Sequence, residues 1–136
     1  MPSSFTQYAT ARQAMIDSQI HPMGVVSEKL LEVFDVVPRE EFVPDHMRGI
    51  CYCDEEIEIE KGRYLMEPSV VARMIQALEP KSEHVALTIG TGTGYNASIL
   101  SHLVSTVVAL EEDVPLIAKG QKVWDKLGYN LSLIHI

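Results

Sequence analysis

Cysteine is scarce in this chain: Cys51 and Cys53 are the only two, and a single residue separates them. That spacing suits neither a framework disulfide nor a zinc knuckle, so the pair reads as reduced thiols. Long apolar runs are missing too. No stretch approaches the ~20 residues that span a bilayer, and the start Met1-Pro2-Ser3-Ser4 lacks a basic segment followed by an apolar one. The expectation is a cytoplasmic protein with no membrane partner. Basic charge is short: 11 Lys and Arg stand against 19 Asp and Glu, a formal net charge of −8. No local basic patch offsets it, which sets nucleic acid aside as a partner. The five histidines, His21, His46, His84, His102 and His135, show no ligand pairing, and no metal site is expected. Repeats and low-complexity segments are absent as well.

What remains is an ordinary globular composition, 46% hydrophobic and 22% charged over 136 residues, enough for one modest core. Ser3 or Ser4 caps a first helix through about Gln19, with Tyr8, Ala11 and Met15 on one face and His21-Pro22-Met23-Gly24 as its end. Ser27 with Glu28 opens a second helix whose apolar face is Leu30, Leu31 and Phe34. The proline-bracketed stretch Val37-Pro38-Arg39-Glu40-Glu41-Phe42-Val43-Pro44 has room for one helical turn. Glu56-Ile57-Glu58-Ile59-Glu60 alternates strictly and reads as a half-buried hairpin arm turning at Lys61-Gly62, its acids on the solvated side. Pro68 suits the first position of a helix in which Val70, Val71, Met74, Ile75 and Leu78 share one side, ending at Glu79-Pro80.

From His84 onward the pattern becomes strand, helix, strand, helix. Its last helix runs from about Val114 to Gly128 and buries Leu116, Ile117, Val123, Trp124 and Leu127. Such alternation argues for a parallel α/β sheet with right-handed crossovers, beside which the first ~80 residues form a mostly helical extension. The segment Leu131–Ile136 has the apolar pattern of a third strand. Its letters also match one reading frame of the transposon end used to fragment DNA for sequencing libraries. The second reading is preferred, which places a cut near Asn130, excludes the segment from functional reasoning and sets the expectation that residues 1–136 alone are unstable and inactive. The organisation expected is thus 1–80 as extension with a substrate-side loop, 81–130 as the start of a cofactor-binding α/β unit, and 131–136 as strand or tail.

The chemistry concentrates at Gly90-Thr91-Gly92-Thr93-Gly94, set between the apolar run ending at Ile89 and the helical segment from Tyr95. Three alternate glycines permit positive φ and leave no side chain between backbone and ligand, while the following helix points N–H groups into the turn. Val107-Val108-Ala109-Leu110-Glu111 then supplies a buried strand that ends in an acid about 20 residues on, where a ribose hydroxyl pair needs an acceptor. A dinucleotide fingerprint would place its third glycine at position 95, which is Tyr95. The shorter spacing disfavours a nicotinamide-dependent oxidoreductase.

Gly-x-Gly-x-Gly after a strand, with an acid closing the next strand, resembles the first motif of class I S-adenosylmethionine-dependent methyltransferases. Within that class the chain resembles the protein-L-isoaspartate O-methyltransferase family. Val37–Pro44 is similar to the family's N-terminal signature, and Gly62 to Ala72 corresponds to its substrate loop and following helix. Ile89 to Tyr95 is similar to its cofactor loop, and Leu127-Gly128-Tyr129 to the end of its next helix, so that the likeness spans about Met15 to Asn130. The resemblance implies a Rossmann-like sheet, incomplete here, and methyl transfer from S-adenosylmethionine to the carboxylate of isoaspartyl residues in damaged proteins. It further implies that Gly90, Thr91, Gly92 and Gly94 line the methionine part of the cofactor, that Glu111 accepts from its ribose, and that Arg63, Tyr64 and Met66 belong to the substrate loop. Two positions depart from the family. Thr88 stands where Glu or Asp is usual, and Met66 stands at the serine that engages the substrate, where a thioether has no hydrogen to donate. Arg63 reads as a solvated loop arginine, the alternative being a substitute binder of the acceptor carboxylate. These departures keep open a second reading, a methyltransferase-like binding protein without catalysis.

Overall fold

The computed structural model describes residues 3–136. Ser3 caps α1 (Ser4–Met15) by accepting from the Thr6 N–H, and a π-helical turn over Ile16–Ile20 carries the helix on before Gly24, at φ 89°, ends it. Ser27 likewise caps α2 (Glu28–Val36) through the Leu30 N–H. The proline-bracketed stretch forms a single 3-10 turn at Arg39–Phe42, as its prolines predict, followed by a further one at Asp45–Ile50 that no sequence signal announced.

β1 (Ile57–Glu60) and β2 (Arg63–Leu65) make an antiparallel hairpin that turns at Lys61-Gly62, with an irregular register between Glu58 and Glu60. α3 (Pro68–Leu78) follows, started by Pro68. The remaining chain alternates: β3 (Val85–Ile89), α4 (Tyr95–Ser101), β4 (Thr106–Glu111), α5 (Val114–Leu127) and β5 (Ser132–His135). The three strands form one parallel sheet in the order β3-β4-β5, pairing Val85 with Thr106 through Ile89 with Leu110, and Val108 with Ser132 through Glu111 with His135. Crossover helices are what a parallel sheet requires, and α4 and α5 supply them.

One continuous apolar core joins the two halves of the chain: Phe34, Phe42, Ile59 and Val71 from the first half belong to the same cluster as Tyr95, Ile99, Leu116 and Trp124. Tyr95 is fully buried, with Phe42 and Phe34 edge-on at centroid distances of 5.5 and 6.4 Å. Trp124 donates to Ser98 Oγ at 2.8 Å, and Ser98 Oγ donates to the Gly94 carbonyl at 2.7 Å, tying α5 to the start of α4.

Burial corrects the periodicity in two places. On α3, Val71 and Ile75 are buried, but Met74 and Leu78 are exposed. On β3, an edge strand, Val85, Leu87 and Ile89 are exposed as well. The pleat sends those three side chains to one face, where Leu87 and Ile89 share an open groove with Met74 and Leu78 of α3. An apolar pattern specifies a face, and how far that face is buried depends on what packs against it. On α5, Leu116 and Trp124 are buried, while Ile117, Val123 and Leu127 are half-buried.

Candidate functional site

The glycine turn is held from below by the sheet. Gly90 and Thr91 both donate to the Leu110 carbonyl, at 2.9 and 3.1 Å, so the turn is fixed to the end of β4. Gly92 and Gly94 have φ values of 62° and 92°, which L side chains rarely adopt, and both are also needed for space. A Cβ on Gly92 would come 2.8 Å from Ile59 Cδ1, and one on Gly94 would come 2.5 Å from Trp124 Cζ2. From the helix side, Gly120 of α5 lets the Thr93 carbonyl approach where a Cβ would lie 2.9 Å from it. Thr93 Oγ1 donates to the Phe42 carbonyl at 2.7 Å, so the 3-10 turn of the first half is fastened to the same loop.

Glu111, at the end of β4, is fully buried. The Gly92 N–H donates to its Oε2 at 2.7 Å, and the N–H groups of Glu112 and Asp113 donate to Oε1 at 3.0 and 3.1 Å. Arg63 completes the shell from the hairpin: Nη1 donates to Oε1 at 3.0 Å and Nη2 to Oε2 at 2.8 Å, a bidentate fork between residues 48 apart in sequence. Burial by itself pushes the Glu111 carboxyl up. The hydrogen bonds from Arg63, Asp113 and Gly92, with the guanidinium charge, outweigh that push and bring the group down to about 2. The same pairing raises Arg63 above its ordinary value. The expectation of a solvated loop arginine is therefore corrected, and the predicted ribose acceptor is already engaged by a side chain of its own protein.

The other predicted residues spread around this pair. Thr88 Oγ1 lies 3.1 Å from Thr91 Oγ1, so two hydroxyls stand together below the turn. Met66 lies with Thr88, Gly90 and Thr91 along one groove of about 260 Å³, which brings the loop after β2 and the glycine turn to the same opening. Tyr64 is exposed, paired across the hairpin with Glu58, and touches none of the groups above by hydrogen bond. Among the described residues no group of three or more His, Cys, Asp or Glu comes together as a metal site would need. No described helix is long and apolar enough to cross a membrane.

Arg39 is a residue whose part the sequence did not disclose. It is fully buried, donating from Nε to the Cys51 carbonyl at 2.6 Å and from Nη2 to the Met66 carbonyl at 3.0 Å, with its guanidinium 5.0 Å from the Tyr95 ring centroid. It thus fixes the backbone of the loop after β2 from beneath. Behind it, Arg12, Glu40 and Tyr52 form a closed network. Arg12 Nη2 donates to Glu40 at 3.0 Å and Arg12 Nε to Tyr52 Oη at 2.8 Å, while the Tyr52 hydroxyl donates to Glu40 and accepts from the Arg39 N–H. No local pattern marks these residues in the sequence, because their partners lie up to 40 residues away. Burial raises the Cys51 thiol to about 12, so it is inert as a nucleophile at neutral pH.

A parallel sheet with a glycine turn after one strand and a buried acid at the end of the next defines the Rossmann-like nucleotide-binding class. Solved structures place it more closely. The chain superposes on a protein-L-isoaspartate O-methyltransferase with a TM-score of 0.77 at 24% identity, covering 91% of this chain and 41% of that one. A second match, with a TM-score of 0.74 at 18% identity, is a Plasmodium falciparum protein described as a putative protein-L-isoaspartate O-methyltransferase in complex with S-adenosyl-L-homocysteine, and it covers 92% of this chain and 62% of that one. The fold is therefore that of this methyltransferase group.

The sequence profile of the family described as Protein-L-isoaspartate(D-aspartate) O-methyltransferase matches residues 10–136, and the chain belongs to that family. Among curated relatives, Protein-L-isoaspartate O-methyltransferase 2 of Anaeromyxobacter sp. (strain Fw109-5) is 37% identical over 120 residues, 88% of this chain and 49% of the relative. The protein of the same name from Marinobacter nauticus is 38% identical over 125 residues, 92% of this chain and 56% of the relative. The chain spans about half the length of these relatives.

Proposed function

We propose that the protein of which these residues are part transfers a methyl group from S-adenosylmethionine to the carboxylate of L-isoaspartyl residues in damaged proteins, a repair activity of the cytoplasm. The observation that carries this reading is the 2.7 Å bond from the Gly92 N–H to Glu111, which makes glycine turn and acid a single site at the ends of β3 and β4. The residues fit such a cofactor. Gly90, at φ 68°, turns the position of its absent Cβ towards the Arg63 guanidinium, 3.9 Å away, so no side chain of the turn stands between backbone and site there, and Glu111, held ionised, is an acceptor with no proton of its own, the match for ribose hydroxyl donors. Gly90 and Thr91 line a groove that would take the methionine part, with the Thr88 hydroxyl beneath in place of a carboxylate. Residues 81–130 begin the cofactor-binding unit, and residues 1–80 bring the acceptor loop to it.

Held by Gly90, Thr91 and Glu111, the cofactor would supply an electrophilic methyl to the acceptor oxygen, with a neutral thioether as the leaving group. The acceptor carboxylate is already an anion at neutral pH, so the protein needs no general base. Its task is alignment and exclusion of water. Arg39 holds the Met66 carbonyl and so the acceptor loop, and the Met66 side chain gives that loop an apolar wall on the groove. Arg63, which precedes this loop on β2, is a partly exposed cation, whereas Arg39 is fully buried.

The test is incubation of the full-length protein with labelled S-adenosylmethionine and an isoaspartyl peptide. A base-labile methyl ester on the peptide is expected. Cofactor binding with no ester formed would instead favour a binding protein built on the same fold.

A further inference from the structure

Five donors reach the two oxygens of Glu111, and they are not equivalent. Three are backbone N–H groups, of Gly92, Glu112 and Asp113, and they leave only if the end of β4 or the glycine turn unfolds. The other two belong to Arg63, whose side chain remains 30% exposed and sits on a three-residue strand of an irregular hairpin. A carboxylate with two oxygens offers about four lone-pair positions, so the shell is saturated as it stands. Any further pair of donors must replace a pair already there, and only the guanidinium can be replaced without breaking the fold.

The guanidinium fork has the donor pattern of the ligand it would give way to. Two parallel N–H groups on one planar face address Oε1 and Oε2 together, as the two vicinal hydroxyls of a ribose would. We propose that Arg63 is a built-in stand-in for the ribose diol: without cofactor the site is closed on itself, and entry of the nucleoside displaces the guanidinium, freeing it beside Met66 to hold the acceptor's carboxylate. This rests on the reading of Glu111 as the ribose acceptor. The exchange keeps the buried acid paired at every stage, which matters because an unpaired buried carboxylate is costly. It makes cofactor binding precede acceptor binding, and it supplies the acceptor loop with a bidentate carboxylate ligand where Met66 has no donor.

Closing the site on itself lowers the apparent cofactor affinity by the fraction of molecules in the open state. The test is calorimetric titration of the full-length protein with S-adenosylhomocysteine, comparing wild type with Arg63→Met and Arg63→Gln, whose folding is checked by thermal melting. Both variants are expected to bind more tightly, by about tenfold if nine molecules in ten are latched. With cofactor saturating, both are also expected to show a raised KM for an isoaspartyl peptide. Equal or weaker binding in both variants would overturn the latch and leave Arg63 as a group that merely keeps Glu111 charged. Tighter binding with an unchanged peptide KM would overturn the acceptor half of the proposal. If neither wild type nor variants bind the ligand, the assignment of Glu111 itself fails, an outcome distinct from a latch that does not exist.

Discussion

Among the described residues two arginine–glutamate pairs have a buried acid, and they differ in what surrounds them. Arg12 and Glu40 are both about nine-tenths buried, and Tyr52, the Asp35 carbonyl and the Arg39 N–H close the network around them. In the pair Arg63–Glu111 the acid is fully buried, yet the arginine is 30% exposed and held by nothing but the acid. The first pair has no route by which either partner leaves. The second has a fixed acceptor and a removable donor. A buried charge with fixed partners is a structural element, whereas a buried acceptor whose side-chain partner faces solvent can exchange that partner for another donor.

The most disruptive way to test that contrast is to break the enclosed pair. Glu40→Ala leaves Arg12 buried without its counter-charge and removes an acceptor from Tyr52, and a loss on the order of 3–5 kcal/mol is expected in chemical denaturation. Acid titration sharpens the other side. Glu111 has its folded value lowered to about 2 from 4.5, so its stabilisation is complete above about pH 4.5 and is lost as pH falls towards 2. Wild-type stability is expected to drop across that window by an amount on the order of 2–3 kcal/mol more than that of Glu111→Gln, measured by denaturant midpoints at each pH. Gly94→Ala places a methyl against Trp124 at an unfavourable φ and is expected to cost on the order of 2 kcal/mol in the same assay. The smallest effect on stability belongs to Arg63→Met, about 1 kcal/mol, because the N–H groups of Gly92, Glu112 and Asp113 still hold the buried Glu111 when the guanidinium is gone. Its large effect is reserved for ligand binding.

The same contrast separates what could be read in the sequence from what could not. Caps at Ser3 and Ser27, the turn at Lys61-Gly62, Pro68 at a helix start and the glycine turn are local features, each decided by a few neighbouring residues, and they stand where the sequence places them. Glu111 was legible as a strand-end acid because the distance from the glycine turn is itself a pattern. The guanidinium on it was not, since Arg63 lies 48 residues away and the contact depends on how the hairpin docks on the sheet. Arg39 was hidden for the same reason: a residue in a proline-bracketed turn shows no period, and only the fold brings the Met66 carbonyl to it. Met74, Leu78, Leu87 and Ile89 mark the opposite failure, a pattern legible in the sequence whose burial it overstates.

The central claim is that the glycine turn and Glu111 form one cofactor site. The most direct measurement is the affinity of the full-length protein for S-adenosylhomocysteine, by calorimetry, with Glu111→Ala beside wild type. The account predicts binding by wild type and at least tenfold weaker binding by the variant, since the hydroxyls would lose a charged acceptor worth about 1.5–3 kcal/mol. Equal affinity in the two proteins would contradict it.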